Sequence, residues 1–265
     1  MLFPTPAVGD PPLAVLLTTS GGLVGGDRLD IDIRLAEGAA AHVTASAAEK
    51  VYRSIGANDG DPPVAVRSLR VPRWSFCRSK RSCSKARACG AKRPWSLVEM
   101  PGFSAVIFVV FGRARAAKRF TRGFLREVWQ VRREGNLVWG DAVHLEDDIA
   151  QIIDHPACFD GAAAFATLIL APSGRDPRSF LTVPRAIQST GAAEGLRSGV
   201  TAIAGLVVAR WLAADATALR RAYYRSGLSF SSSRNGVAAT DAATVECLAR
   251  LEIIDPEDSH RDRRH

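Results

Sequence analysis

Between Leu29 and Leu35 every second residue is apolar: Leu29, Ile31, Ile33 and Leu35 share one face, and Asp30, Asp32 and Arg34 share the other. A helix would scatter those residues around its axis, whereas a strand with one buried face collects them. Upstream lies a glycine-dense loop, Ser20-Gly21-Gly22-Leu23-Val24-Gly25-Gly26-Asp27. Downstream, Glu37-Gly38 forms a turn, and Val43, Ala45 and Ala47 continue a small apolar face opposite His42, Thr44 and Ser46, closing on Glu49-Lys50-Val51-Tyr52-Arg53. The two arms read as a β-hairpin.

The same grammar recurs along the chain. Leu13 to Thr18 is a short apolar strand. Val64, Val66 and Leu69 begin another strand after the turn cluster Asn58 to Pro63. Ile107 to Phe111 is the continuous apolar run of a strand covered on both faces. Gly123 to Arg132 and Leu137 to Leu145 are two strands joined by Glu134-Gly135-Asn136. The second half is mixed: Ala162 to Leu170 fits helix or strand, Ser179 to Gln188 a helix, and Val200 to Leu212 a strand. Asp215 caps an alanine- and arginine-rich helix that runs to Tyr224. The expectation is a mainly β protein with a few helices in its C-terminal half, followed from 226 to 265 by an irregular or disordered tail.

Length and charge bound the function. The 265 residues suffice for a real core. No apolar run approaches the roughly 18 uncharged residues of a membrane span, and Met1-Leu2-Phe3-Pro4 lacks the basic-then-apolar layout of a signal peptide, so a cytoplasmic location is expected. The net charge is +8, yet between Val71 and Met100 eight basic residues (Arg73, Arg78, Lys80, Arg81, Lys85, Arg87, Lys92 and Arg93) face the single acid Glu99, so this window alone contributes +7. Cys77, Cys83 and Cys89 sit in it at equal six-residue steps, unlike the short paired spacings of a zinc site. With Trp74 and Trp95 the segment from 73 to 93 is either a nucleic-acid patch or a solvated charge run.

No catalytic constellation emerges. The glycine loop lacks the Lys-Ser/Thr of a phosphate loop, and a strand, not a helix N-terminus, follows it. Neither a nucleophile elbow nor a Cys/His signature is present. His155-Pro156-Ala157-Cys158 offers two soft ligands without companions, and Glu146-Asp147-Asp148 reads as a solvated acidic turn.

The block Leu16 to Asp30, followed by Ala47-Ala48-Glu49-Lys50-Val51-Tyr52-Arg53, closely resembles the urease accessory protein UreD family, also called UreH. Phe111-Gly112-Arg113, Arg119-Phe120-Thr121-Arg122-Gly123 and Gly205 to Arg210 resemble later family segments in the same order. The resemblance implies an elongated, β-rich, partly β-helical scaffold over residues 1 to 225. It implies no catalysis, no permanent cofactor and no resident metal, with UreF, UreG and apo-urease as partners and nickel in transit. Nickel-transit candidates carried over on this basis are Asp27, Glu49 and Asp141. Gly21, Gly22, Gly25, Gly26, Lys50, Tyr52 and Arg53 form the structural or interface motif.

Departures from the family pattern are as specific as the matches. The family usually begins with strands this chain lacks, so an N-terminal truncation is expected. An acidic residue is usual where Ile107 stands. The basic window replaces a strand of the type Leu-Pro-Gln-x-Thr-x-Leu-Phe-x-Gly-Ala. Phe76 to Arg87 can be encoded so that reading from the third base of the Phe76 codon gives Leu-Pro-Gln-Gln-Thr-Ile-Leu-Phe-Glu-Gly-Ala-Arg. Residues 76 to 105 are therefore expected to be translated out of frame and to form a poorly packed loop.

Overall fold

The structure is a computed structural model. It describes residues 1–6, 8, 11–17, 19, 21–23, 27–35, 41–46, 49–51, 64–70, 76–83, 89–97, 103–112, 119–133, 135–172, 174–182, 195–226, 228 and 245–253, with backbone alone for 28–35, 49, 64–70, 76–83, 89–97, 103 and 245–253. The alternating stretches become strands, and two sheets divide them. The first sheet runs in the order β1 (Leu13–Leu16), β3 (His42–Ala45), β6 (Phe76–Cys83), β8 (Phe103–Phe111), β11 (Ala164–Ala171), β13 (Leu206–Ala213) and β12 (Leu196–Ile203), with β4 (Glu49–Val51) also on β6. The second runs β10 (Asn136–Asp148), β9 (Arg122–Arg133), β7 (Cys89–Leu97), β5 (Val64–Arg70), β2 (Asp27–Leu35) and β14 (Val245–Ile253).

Through β9, the chain crosses repeatedly from one sheet to the other. Within each sheet these strands pair in parallel, β1 with β3, β3 with β6 and β6 with β8 on one side, β2 with β5, β5 with β7 and β7 with β9 on the other. The expected hairpin between Leu29 and Ala47 is therefore corrected. Both arms are strands, but β2 pairs with β5 and β14 while β3 pairs with β1 and β6. Alternation specifies which face of a strand is buried and leaves its neighbour open.

Five further expectations need correction or refinement. Val200 to Leu212 is two strands: Ala204 and Gly205, at φ 51° and 77°, turn the chain between β12 and β13, which pair antiparallel. Ser179 and Phe180 belong to a 3-10 turn, Pro177–Phe180, and the remainder of the expected helix from 183 on lies outside the described residues. The backbone of 76–83 and 89–97 pairs in register within the two sheets, where a loop was expected. Likewise β14 falls inside the stretch read as an irregular tail and runs antiparallel to β2. The ambiguous Ala162 to Leu170 resolves as β11, whose eight residues are all buried.

Two apolar layers follow from the pleat. On β8, Ala105, Ile107, Val109 and Phe111 join Phe165 and Ile169 of β11 and meet Leu125, Trp129, Val131 and Leu145 of β9 and β10, filling the space between the sheets. The alternate residues, Val106, Phe108, Leu168 and Leu170, meet Leu219, Ala222 and Tyr223 of the helix α2 (Ala216–Arg225) on the other side. β8 is thus buried on both faces, as its apolar run required. A short helix, α1 (Ile149–Asp154), closes one end of β10. Its N-cap is Asp148, whose carboxylate accepts from Gln151 N at 3.2 Å, so this acid caps a helix as well as ending a strand. Among the described residues, no helix is long and apolar enough to cross a membrane.

Candidate functional site

Polar side chains enter the space between the sheets at four neighbouring strands. On β9 the inward positions are Leu125, Glu127, Trp129 and Val131, and all are buried. Glu127, 3% exposed, is the acid among them; its Oε1 accepts from Trp129 Nε1 at 2.6 Å. A carboxylate removed from water is costly unless donors satisfy it, so this bond helps to hold Glu127 in place.

Asp141 of β10 lies opposite Trp129 in the register. Across the gap, Arg210 of β13 brings Nη2 to 2.5 Å from Asp141 Oδ2. That oxygen is sealed from solvent and the contact lacks hydrogen-bond alignment, so the pair is chiefly electrostatic. Arg210 is half exposed, which screens the pair from one side. Thr167, buried on β11, pairs with Arg210 in the first sheet. Thr167, Arg210, Asp141, Trp129 and Glu127 therefore form a polar string through an otherwise apolar layer.

The other sequence candidates lie elsewhere. Asp27 is half-buried at the start of β2, opposite Ile253. Glu49 starts β4 opposite Arg81, and its side chain is outside the described residues. Gly21 at φ 78° and Gly22 at φ 145° take conformations that glycine tolerates best. Gly25, Gly26, Tyr52 and Arg53 lie outside the described residues. Leu23 N donates to the carbonyl of Lys50 at 2.7 Å, and Leu23 bridges Val51 in parallel. The glycine block and its Glu49-Lys50-Val51 sequel thus meet in space, although some 25 residues separate them in the chain. The loop leads into a strand, as the argument against a phosphate cradle requires.

Asp27 and Asp141 do not form one ligand set. Their strands are four positions apart in the second sheet, on the order of 19 Å at the usual strand spacing. Among the described residues no three His, Cys, Asp or Glu side chains converge as a metal group. His155 and Cys158 face solvent, and His155 Nδ1 accepts from Ala157 N at 3.1 Å. Sequence reasoning missed Glu127. Its signal is a single acid at an inward position of an alternating strand.

A family model described as UreD urease accessory protein matches residues 1–71 and 103–241. The chain belongs to the UreD urease accessory protein family. A UreD of Magnetococcus marinus is 36% identical over 228 residues, covering 84% of this chain and 77% of that protein. Urease accessory protein UreD 1 of Bradyrhizobium sp. is 31% identical over 218 residues, covering 82% and 76% respectively, and a UreD of Methylobacterium sp. is 33% identical over 216 residues, covering 80% and 74%. Both the glycine block and the polar string of this UreD chain fall within the matched residues. The stretch between the two matched parts, 72–102, coincides with the basic window.

Proposed function

We propose that this UreD-family chain is a non-enzymatic urease maturation factor that docks on apo-urease with UreF and UreG in the cytoplasm and assists nickel delivery to the urease active site. The observation that carries this reading is the family match on both sides of the basic window. The repeated crossing between parallel-paired sheets supports a partly helical winding of the scaffold.

The polar string supports the nickel step. Nickel accepts oxygen and imidazole ligands, and a conduit must bind it weakly enough to release it. Glu127 and Asp141, carried on separate strands between two sheets, offer oxygen donors without a closed ligand set. Asp27 and Glu49 belong to a second neighbourhood around the glycine loop and remain transit candidates there. The protein's part is to hold these carboxylates in place. Ion pairing to Arg210 occupies Asp141 until a cation competes for it.

The test is urease activation in cells that lack their own UreD but retain the other maturation proteins. Supplying this chain, or a version with the reading frame of 76–105 restored, should raise urease activity above the empty control. Asp141→Asn should then lower activation more than Arg210→Met, which removes the same ion pair but leaves the carboxylate. Equal losses would reduce Asp141 to half of a structural pair, and failure of both chains to activate urease would overturn the maturation reading.

A further inference from the structure

We infer that the arginine-rich layer covering the outer side of the first sheet is a docking surface for an acidic protein surface. Two elements build it. The helix α2 and the 3-10 turn Pro177–Phe180 both pack on β12 and β13; Leu219, Ala222 and Tyr223 are buried against that side and Phe180 is half-buried there. Arg175, Arg178, Arg220, Arg221 and Arg225 remain exposed on these elements and at the start of the turn.

The acids beside them are already engaged. Asp215 caps α2, accepting from Thr217 N at 2.6 Å and Ala218 N at 2.8 Å, and Asp176 accepts from Arg178 N at 2.9 Å. The ion pairs among the described residues join Arg119 to Asp154, His144 to Glu146, Arg197 to Asp160 and Arg210 to Asp141, and none includes these five arginines. A helix that merely faces water mixes signs at i, i+4, whereas Arg221 and Arg225 set like charges there at a small cost in stability. The helix dipole favours cations in the last turn, which accounts for Arg225 but not for Arg175 or Arg178.

The residue type points to carboxylates. All five cations are arginines, whose planar fork pairs with a carboxylate through two parallel hydrogen bonds. Arg175 lies over the Phe180 ring at 5.0 Å, which restrains its guanidinium before any partner arrives. Tyr224, 48% exposed, lies beside Arg220, Arg221 and Arg225 on α2, and tyrosine with arginine is the pairing that protein interfaces favour. A single-stranded nucleic acid would need successive stacking platforms; Tyr224 is one ring, itself packed against Tyr223 at 5.4 Å.

The inference relies on the maturation reading only for the choice of cells. A photo-cross-linking amino acid replaces Tyr224 in the full chain, expressed with urease and its other maturation proteins. Irradiation should yield an adduct with a polypeptide segment of net negative charge. Arg220→Glu, Arg221→Glu and Arg225→Glu together should cut the adduct at least about tenfold, while the three Arg→Lys changes retain part of it. Arg175→Glu with Arg178→Glu tests the same surface from the turn, should the helix variant fail to fold. An adduct with nucleic acid, no polypeptide adduct, or an adduct indifferent to charge reversal would overturn the inference. If urease activation needs the chain but ignores both reversals, the docking surface falls and the maturation reading stands. If the adduct forms and is lost on reversal in cells where urease is not activated, the reverse holds.

Discussion

Trp129 shows how a single side chain reconciles charge with burial. Its ring fills the space between the sheets and its Nε1 donates to Glu127. Trp129→Phe keeps an aromatic ring but removes that donor, and should cost about 1–3 kcal/mol, or about 2–4 °C in Tm for each kcal/mol in a chain of this size. Urea denaturation checks it; a variant as stable as the parent would mean that the bond contributes nothing. Asp154 makes a different prediction. Arg119 Nη1 donates to Asp154 Oδ2 at 2.9 Å, and Nη2 pairs with Oδ1. The hydrogen bonding from Arg119 holds the Asp154 carboxyl below its ordinary value. A lowered folded-state pKa means that the stabilisation is complete above the unfolded value, about 3.9, and is lost as pH falls through the folded one. The stability gap between the parent and Asp154→Asn should therefore be flat near neutrality and close only below about pH 4. Asp154 is exposed, so the gap is small. A gap that instead closed between pH 6 and 8 would point to a histidine.

At the scale of elements, β6 is where sequence and position conflict. Its register sets Arg78, Lys80 and Arg81 beside Val106, Phe108 and Val109 of β8, residues sealed on both faces of the sheet. A strand between such neighbours calls for apolar residues, and a charge placed there costs several kcal/mol unless a partner compensates it. The alternative reading frame supplies Leu, Pro, Gln, Gln, Thr, Ile, Leu and Phe across the same span, and the family match breaks off at 71 and resumes at 103. We therefore expect resequenced DNA to show a compensating pair of single-base changes flanking this window, and the frame-restored chain to unfold at higher urea. An intact frame in the gene, or equal stability of the two chains, would sink the idea. Elsewhere the elements were legible in proportion to their punctuation. β9 and β10 could be read because alternation meets the Glu134-Gly135-Asn136 turn. β12 and β13 merged into one strand because Ala204-Gly205 hides in an apolar run, and six-residue α1 is too short to show a helical period. The hairpin misreading has the same root: β2 and β3 carry clear faces, yet nothing in a period of two names the neighbour. The polar string was half legible for that reason too, with Asp141 reached through resemblance and Glu127 passed over.

At the scale of the whole molecule, the crossing pattern decides how the chain comes apart. β1, β3, β6 and β8 need one another for their hydrogen bonds, yet β2, β5 and β7 lie between them in sequence on the opposite sheet. Neither sheet is a contiguous piece of chain that could fold alone, and the layer between them is shared by Ile107, Phe165, Leu125 and Trp129. Arg210 and Asp141 add an ion pair from one sheet to the other. Loss of either sheet therefore exposes the apolar face of its partner, which should make unfolding of the frame-restored chain all-or-none. Far-UV circular dichroism and tryptophan fluorescence should report the same urea midpoint, and refolding should be slow, because most pairings join strands far apart in sequence. Two separated transitions would mean that the sheets unfold independently. In that case the polar string would be a contact between two stable bodies, and Asp141→Asn would shift only the transition that separates them.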